Sequence, residues 1–81
     1  MFVYAIYNKK HDKIYVGQTI NIIERLRLHN EKVFKTSFTA RFDGEWILIY
    51  SESVENRSRA LIREKQLKSY RERESLKKYI P

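Results

Sequence analysis

The sequence predicts an α+β fold, a small three-stranded antiparallel sheet flanked by helices in the order β-β-α-β-α-α. Three observations predict it. Two β-branched and aromatic runs, Phe2-Val3-Tyr4-Ala5-Ile6-Tyr7 and Lys13-Ile14-Tyr15-Val16-Gly17, close around a polar loop as a hairpin does. A third run, Glu45-Trp46-Ile47-Leu48-Ile49-Tyr50, follows the turn signal Asp43-Gly44. The remaining chain is charged and carries helix-start signals at Asn21 and over Ser53-Val54-Glu55-Asn56.

At 81 residues the chain is expected to form one domain, 1–81. A chain this short buries only about 60% of its unfolded surface, so a thin core is expected. The absence of cysteine excludes a disulfide framework and a Cys-based zinc site, and two histidines are too few to replace one. The apolar runs are far shorter than the roughly 20 residues of a membrane span. The first lacks the flanks of a secretory signal. A soluble, cytoplasmic protein without membrane contact or an evident obligate protein partner is therefore expected.

The formal charge is +7, and much of the excess falls late in the chain. Arg57, Arg59, Arg63, Lys65, Lys68, Arg71, Arg73, Lys77 and Lys78 there face only Glu64, Glu72 and Glu74. Such a concentration suits a polyanion, nucleic acid or an anionic membrane surface, and equally suits a solvated helix face.

Strand alternation places Phe2, Tyr4 and Ile6 on one face, and Tyr15 and Gly17 on one face of the next strand. Gly17 at the strand end predicts a bend or a close backbone approach. Asn21 is an N-cap, with Glu24 placed to close a capping box. On that helix Ile22, Ile23 and Leu26 form the expected buried stripe, with Arg25 and His29 one above the other at its edge. Phe34, Phe38 and Phe42 recur every four residues with Lys35 and Arg41 among them, as a helical turn or as anchors under a loop. The unbroken apolar character of residues 46–50 predicts a central strand buried on both faces. A second helix is predicted from 53 to about 69, and a short basic one over 71–79.

Glu64 carries the most information. With Ala60 at zero on a helical wheel, Leu61 falls at roughly 100°, Leu67 at roughly −20° and Glu64 at roughly 40°. A carboxylate inside an apolar stripe must be paired, protonated or bound to a cation. An ion pair with Lys68 or Arg57 and a hard divalent cation are the two readings. Tyr4 and Tyr15 are either packing residues or two hydroxyls presented to one groove. Tyr7 and Tyr50 read as packing. Arg25 is a surface cation or a phosphate clamp, and His29 an edge histidine or a functional one.

With these residues in place the chain resembles the GIY-YIG nuclease superfamily, in particular its small stand-alone members, related to the N-terminal domain of an excinuclease component. The second half of the naming motif stands as Tyr15-Val16-Gly17, and the first is reduced to Phe2-Val3-Tyr4. Asn21, Arg25, His29, Trp46 and Ala60-Leu61-Ile62-Arg63-Glu64 follow in family order, with Lys68 in a Glu-x-x-x-Lys arrangement. Longer relatives add an asparagine after the acidic helix, and residues 69–81 contain none. The resemblance implies a metal-dependent endonuclease that hydrolyses phosphodiesters, DNA rather than RNA, in a repair or structured-DNA role.

In that reading Glu64 holds one Mg²⁺ or Mn²⁺, Tyr4 is the general base, and Tyr15 polarises the same network. Arg25 binds the scissile phosphate, and His29 assists in orientation or proton transfer. Gly17, Arg25, Lys35, Arg41, Arg63, Lys68 and Arg71 are the expected nucleic-acid contacts. The alternative is a nucleic-acid-binding module on the same scaffold that does not cleave.

Overall fold

A computed structural model of the chain describes residues 1–32 and 37–81, so the expectations for Phe34 and Lys35 lie outside the described residues. Three strands, β1 (Phe2–Asn8), β2 (Lys13–Thr19) and β3 (Trp46–Ser53), form an antiparallel sheet of order β2-β1-β3. The α+β class stands. The predicted central place of the third strand does not: β1 is central, buried from Val3 to Asn8, and β3 is an edge. The apolar run of β3 has another cause. Ala5 pairs with Tyr50 but Ile6 with Leu48, so the register slips there and the alternation of faces is lost.

Each face of the sheet carries its own core. On one, Val3, Ala5, Tyr7, Ile14 and Val16 pack with Ala60 and Leu67 of α2 (Arg57–Lys68) and Leu76 of α3 (Tyr70–Leu76). On the other, Tyr4, Ile6 and Trp46 pack with Tyr15, Phe42, and Ile22 and Leu26 of α1 (Ile22–Asn30). The second face is aromatic, and it holds most of the candidate site.

Helix α1 starts as its sequence demands: Asn21 Oδ1 accepts from the Glu24 amide at 3.0 Å. Glu24 does not close a capping box, because its carboxylate takes the Arg27 guanidinium instead. The buried stripe is also displaced. Ile23 is 84% exposed, and His29, one turn beyond half-buried Arg25, is buried in its place. Asn30 ties the end of α1 to the start of β3, accepting from the Trp46 amide at 2.8 Å and donating to the Trp46 carbonyl at 3.0 Å.

Helix α2 begins at Arg57 rather than at 53, because β3 continues through Ser53 and Asn56 supplies the cap to the Arg59 amide at 3.0 Å. Its buried residues are Ala60 and Leu67, while Leu61 is 54% exposed. Glu64 therefore flanks the apolar stripe and does not lie at its centre. Ser69, in extended conformation (φ −65°, ψ 152°), ends α2 and opens α3, which passes into a 3-10 turn at Lys77–Tyr79. Among the described residues no helix is long and apolar enough to cross a membrane.

The displaced stripe is testable. Leu67→Ala opens a cavity in the core under α2 and is expected to cost about 2–5 kcal/mol, whereas Leu61→Ala should stay within about 1 kcal/mol. Chemical denaturation of the two variants measures both.

Candidate active site

Tyr4 and Gly17 are partners across β1 and β2. Gly17 lies inside β2 rather than at its end, and the close approach expected of it is made by side chains. A Cβ at this position would sit 2.7 Å from the Tyr4 hydroxyl and 2.9 Å from Cε2 of Tyr15. Only glycine leaves room for the two phenol rings, whose centroids are 6.4 Å apart.

The Tyr4 hydroxyl lies 2.8 Å from Nε2 of His29, and His29 Nδ1 lies 2.7 Å from Thr39 Oγ1. Burial, helped by the charges of Arg25 and Lys32, pushes the His29 pKa down to about 4. The imidazole is thus neutral near pH 7, with one nitrogen a donor and the other an acceptor. With Tyr4 donating to Nε2, the Nδ1 proton is donated to Thr39, whose hydroxyl also meets Ser37 Oγ at 3.1 Å. Burial and the neighbouring Tyr15 hold the Tyr4 pKa well above the usual phenol range. Arg25 opposes that rise and Glu64 adds to it, so both charges act on the same hydroxyl.

Tyr15 stands at the outer strand of the sheet. Its ring is stacked on Phe38 (centroids 6.2 Å, 20° between planes), and Lys68 Nζ lies 5.8 Å from its centre. Lys68 also reaches Glu64 Oε1 at 3.1 Å, so the ion-pair reading of Glu64 is realised with Lys68. Glu64 Oε2 accepts from Gln18 Nε2 at 3.0 Å. The Glu64 side chain is 16% exposed and so remains open at one side. Next to it a cavity of about 280 Å³ is lined by Tyr15, Phe38, Ile14, Val16, Lys68 and Arg73.

The structure thus gathers Tyr4, Tyr15, Gly17, Arg25, His29, Glu64 and Lys68 around the β1–β2 pair. Arg63 stands elsewhere: its guanidinium donates to Glu52 on β3 at 2.7 Å, toward the opposite edge of the sheet. Arg41 and Arg71 are exposed. Two residues that the sequence reading passed over, Thr39 and Gln18, belong to the arrangement, together with Phe38 of the recurring phenylalanines. Thr39 holds the imidazole, Gln18 holds Glu64, and Phe38 backs Tyr15. Gln18 had a signal, being a polar residue in alternation with Ile14 and Val16. Thr39 had none, since it sits in a single 3-10 turn, Thr39–Arg41, that has no periodicity.

The family model described as the GIY-YIG catalytic domain matches residues 1–79. The chain belongs to the GIY-YIG family. This is a nuclease-type family, and membership implies a nucleic-acid substrate. No curated protein and no solved structure gives a significant match. The two halves of the GIY-YIG motif are neighbours in space: Tyr4 of the first lies opposite Gly17 of the second, and Tyr15 opposite Ile6.

Among the described residues no group of three or more His, Cys, Asp or Glu side chains stands together as a metal cage. The donor chemistry suits a sparser arrangement. Magnesium commonly takes one or two carboxylates and fills its shell with water and substrate phosphate. Glu64, a carboxylate open at one side and close enough to bear on Tyr4, fits that use.

Two outcomes follow. Because the folded His29 pKa lies below its unfolded value of 6.5, the unfolded chain binds the extra proton between those values. The stability that neutral His29 allows is complete above pH 6.5 and falls as pH drops toward 4. Thermal unfolding midpoints should therefore decline between pH 6.5 and 5 in the wild type, and less so in His29→Gln. Gly17→Ala forces Tyr4 off His29 and is expected to cost about 1–3 kcal/mol, measured by denaturant unfolding, with loss of whatever cleavage the wild type shows.

Proposed function

We propose that the protein is a divalent-metal-dependent endonuclease that hydrolyses phosphodiester bonds in DNA, with a repair or structured-DNA processing role. The observation that carries this reading is the buried line from the Tyr4 hydroxyl through His29 to Thr39, with Arg25 and Glu64 both acting on Tyr4. A phenol held above its ordinary pKa is a poor reservoir of phenolate. It stays protonated near neutral pH, so it serves only as a relay whose hydroxyl gains one proton as it loses another.

In this mechanism Tyr4 takes a proton from the attacking water as it gives its own to His29 Nε2. The Arg25 guanidinium binds the scissile phosphate and complements the charge that grows on its oxygens. A phosphate at Arg25 also offsets one of the charges that add to burial in lowering the His29 pKa, so substrate binding raises the basicity of the acceptor. Tyr15, its ring centre 6.4 Å from that of Tyr4, orders the water. Glu64, held by Gln18, would carry the Mg²⁺ or Mn²⁺ ion, whose chemistry is Lewis-acid stabilisation of the leaving oxygen. Lys68, Arg71 and Arg73 would grip the backbone without reading sequence, which predicts salt-sensitive binding of low specificity.

A binding module that does not cleave is the second reading, favoured by one observation: both Glu64 oxygens already have protein partners. Cleavage assays separate the two. With plasmid and branched DNA in Mg²⁺ or Mn²⁺, Glu64→Gln and Tyr4→Phe are each expected to lower the rate by about 10²-fold or more. Salt-sensitive binding by the wild type with no metal-dependent nicking would establish the module instead. Equal nicking by wild type and Glu64→Gln would assign the cleavage to a contaminant.

A further inference from the structure

Among the described residues two buried side-chain polar atoms lack a hydrogen-bond partner, Trp46 Nε1 and Gln18 Oε1. The first is a donor within the aromatic core. The second is an acceptor, and it belongs to the amide that holds Glu64. Its other end, Nε2, donates to Glu64 Oε2 at 3.0 Å. Buried carbonyl oxygens in native proteins are rarely left unpaired, and one on a rotatable amide beside a carboxylate marks an arrangement that is incomplete.

Electrostatics sets which end of the amide faces Glu64. Against a bare carboxylate the NH₂ end turns inward and the oxygen is driven away. Against a carboxylate that carries a divalent cation the preference reverses, because the carbonyl oxygen is itself a hard ligand. The two ends of an amide are nearly equal in size, so the exchange needs rotation and little repacking. The geometry is already suitable. After the exchange the oxygen would occupy the place Nε2 holds now, 3.0 Å from Glu64 Oε2. Two neighbouring oxygens in an octahedral magnesium shell, with bonds of about 2.0–2.1 Å at right angles, are about 2.9 Å apart.

We propose that Gln18 is a second oxygen ligand of a divalent-cation site at Glu64, its amide turning from NH₂-in to carbonyl-in when the ion binds. The inference rests on the reading of Glu64 as the cation-bearing residue. Lys68 is the counterpart. Its ammonium holds Glu64 Oε1 at 3.1 Å, and a divalent ion on the same carboxylate repels it. The side chain, half exposed, is then released toward a bound phosphate.

The test is Mn²⁺ binding to the intact chain without nucleic acid, read by the electron-spin signal of free Mn²⁺. Folding of each variant is checked by its amide NMR spectrum. Gln18→Met is expected to weaken binding about tenfold or more, and Gln18→Glu, which supplies a charged oxygen, to tighten it by a similar factor. Mn²⁺ should also broaden the Gln18 side-chain NH₂ resonances. If Gln18→Met binds as tightly as wild type while Glu64→Gln loses the ion, Gln18 only props the carboxylate and the proposal is overturned. Weaker binding by folded Gln18→Glu overturns it as well. If Glu64→Gln binds as the wild type does, the ion lies elsewhere, and the reading of Glu64 fails together with that of Gln18.

Discussion

The contact between the Tyr4 hydroxyl and His29 Nε2 joins the middle strand of the sheet to the helix that covers its aromatic face, at 2.8 Å and out of reach of water. A buried hydrogen bond of this kind has no solvent to fall back on, so every element around it has to be placed to suit it. Gly17 gives up its side chain to let the phenol pass. Thr39 fixes the far nitrogen of the imidazole, and Asn30, next in the chain to His29, locks the helix end onto β3 through both polar groups of the Trp46 backbone. Sheet, helix and the following turn are thus held to one line of polar atoms within an otherwise aromatic core.

The charges are arranged around that line and not within it. Arg25 bears on both Tyr4 and His29, in each case disfavouring extra positive charge. Glu64 bears on Tyr4 in the opposite sense. The hydroxyl therefore feels both a guanidinium on α1 and a carboxylate on α2, helices that pack on opposite faces of the sheet. In the proposed mechanism this frame meets a dianionic transition state with dipoles and charges set before the substrate arrives.

Much of this could be read from the residues, because it follows from short periods. Alternation along two strands put Tyr4 and Tyr15 in view of one another, and a four-residue step on a helix put Arg25 beneath His29. What escaped depended on long-range pairing. Residues 2–7 and 46–50 are equally apolar, and nothing local says which of them lies in the middle; the pairing of β1 with both β2 and β3 decides it. Ile23 and Leu61 look like core on a wheel and stand in solvent, since the wheel does not record how narrow a stripe the sheet covers. Thr39 is ten residues from His29 in chain order and touches it in space, and no regular spacing links the two.

Ser69 alone separates the helix that bears Glu64 from the helix that bears Arg71 and Arg73. One added residue there would turn α3 by about 100° about its axis, sending its cations in a new direction. It would also pull Leu76 out of the core beneath the sheet. Changes of length at this joint are therefore penalised by packing, whereas exchanges on the outward side of α3 are not. Variation of α3 is thereby channelled into surface substitution, leaving the core against the sheet undisturbed.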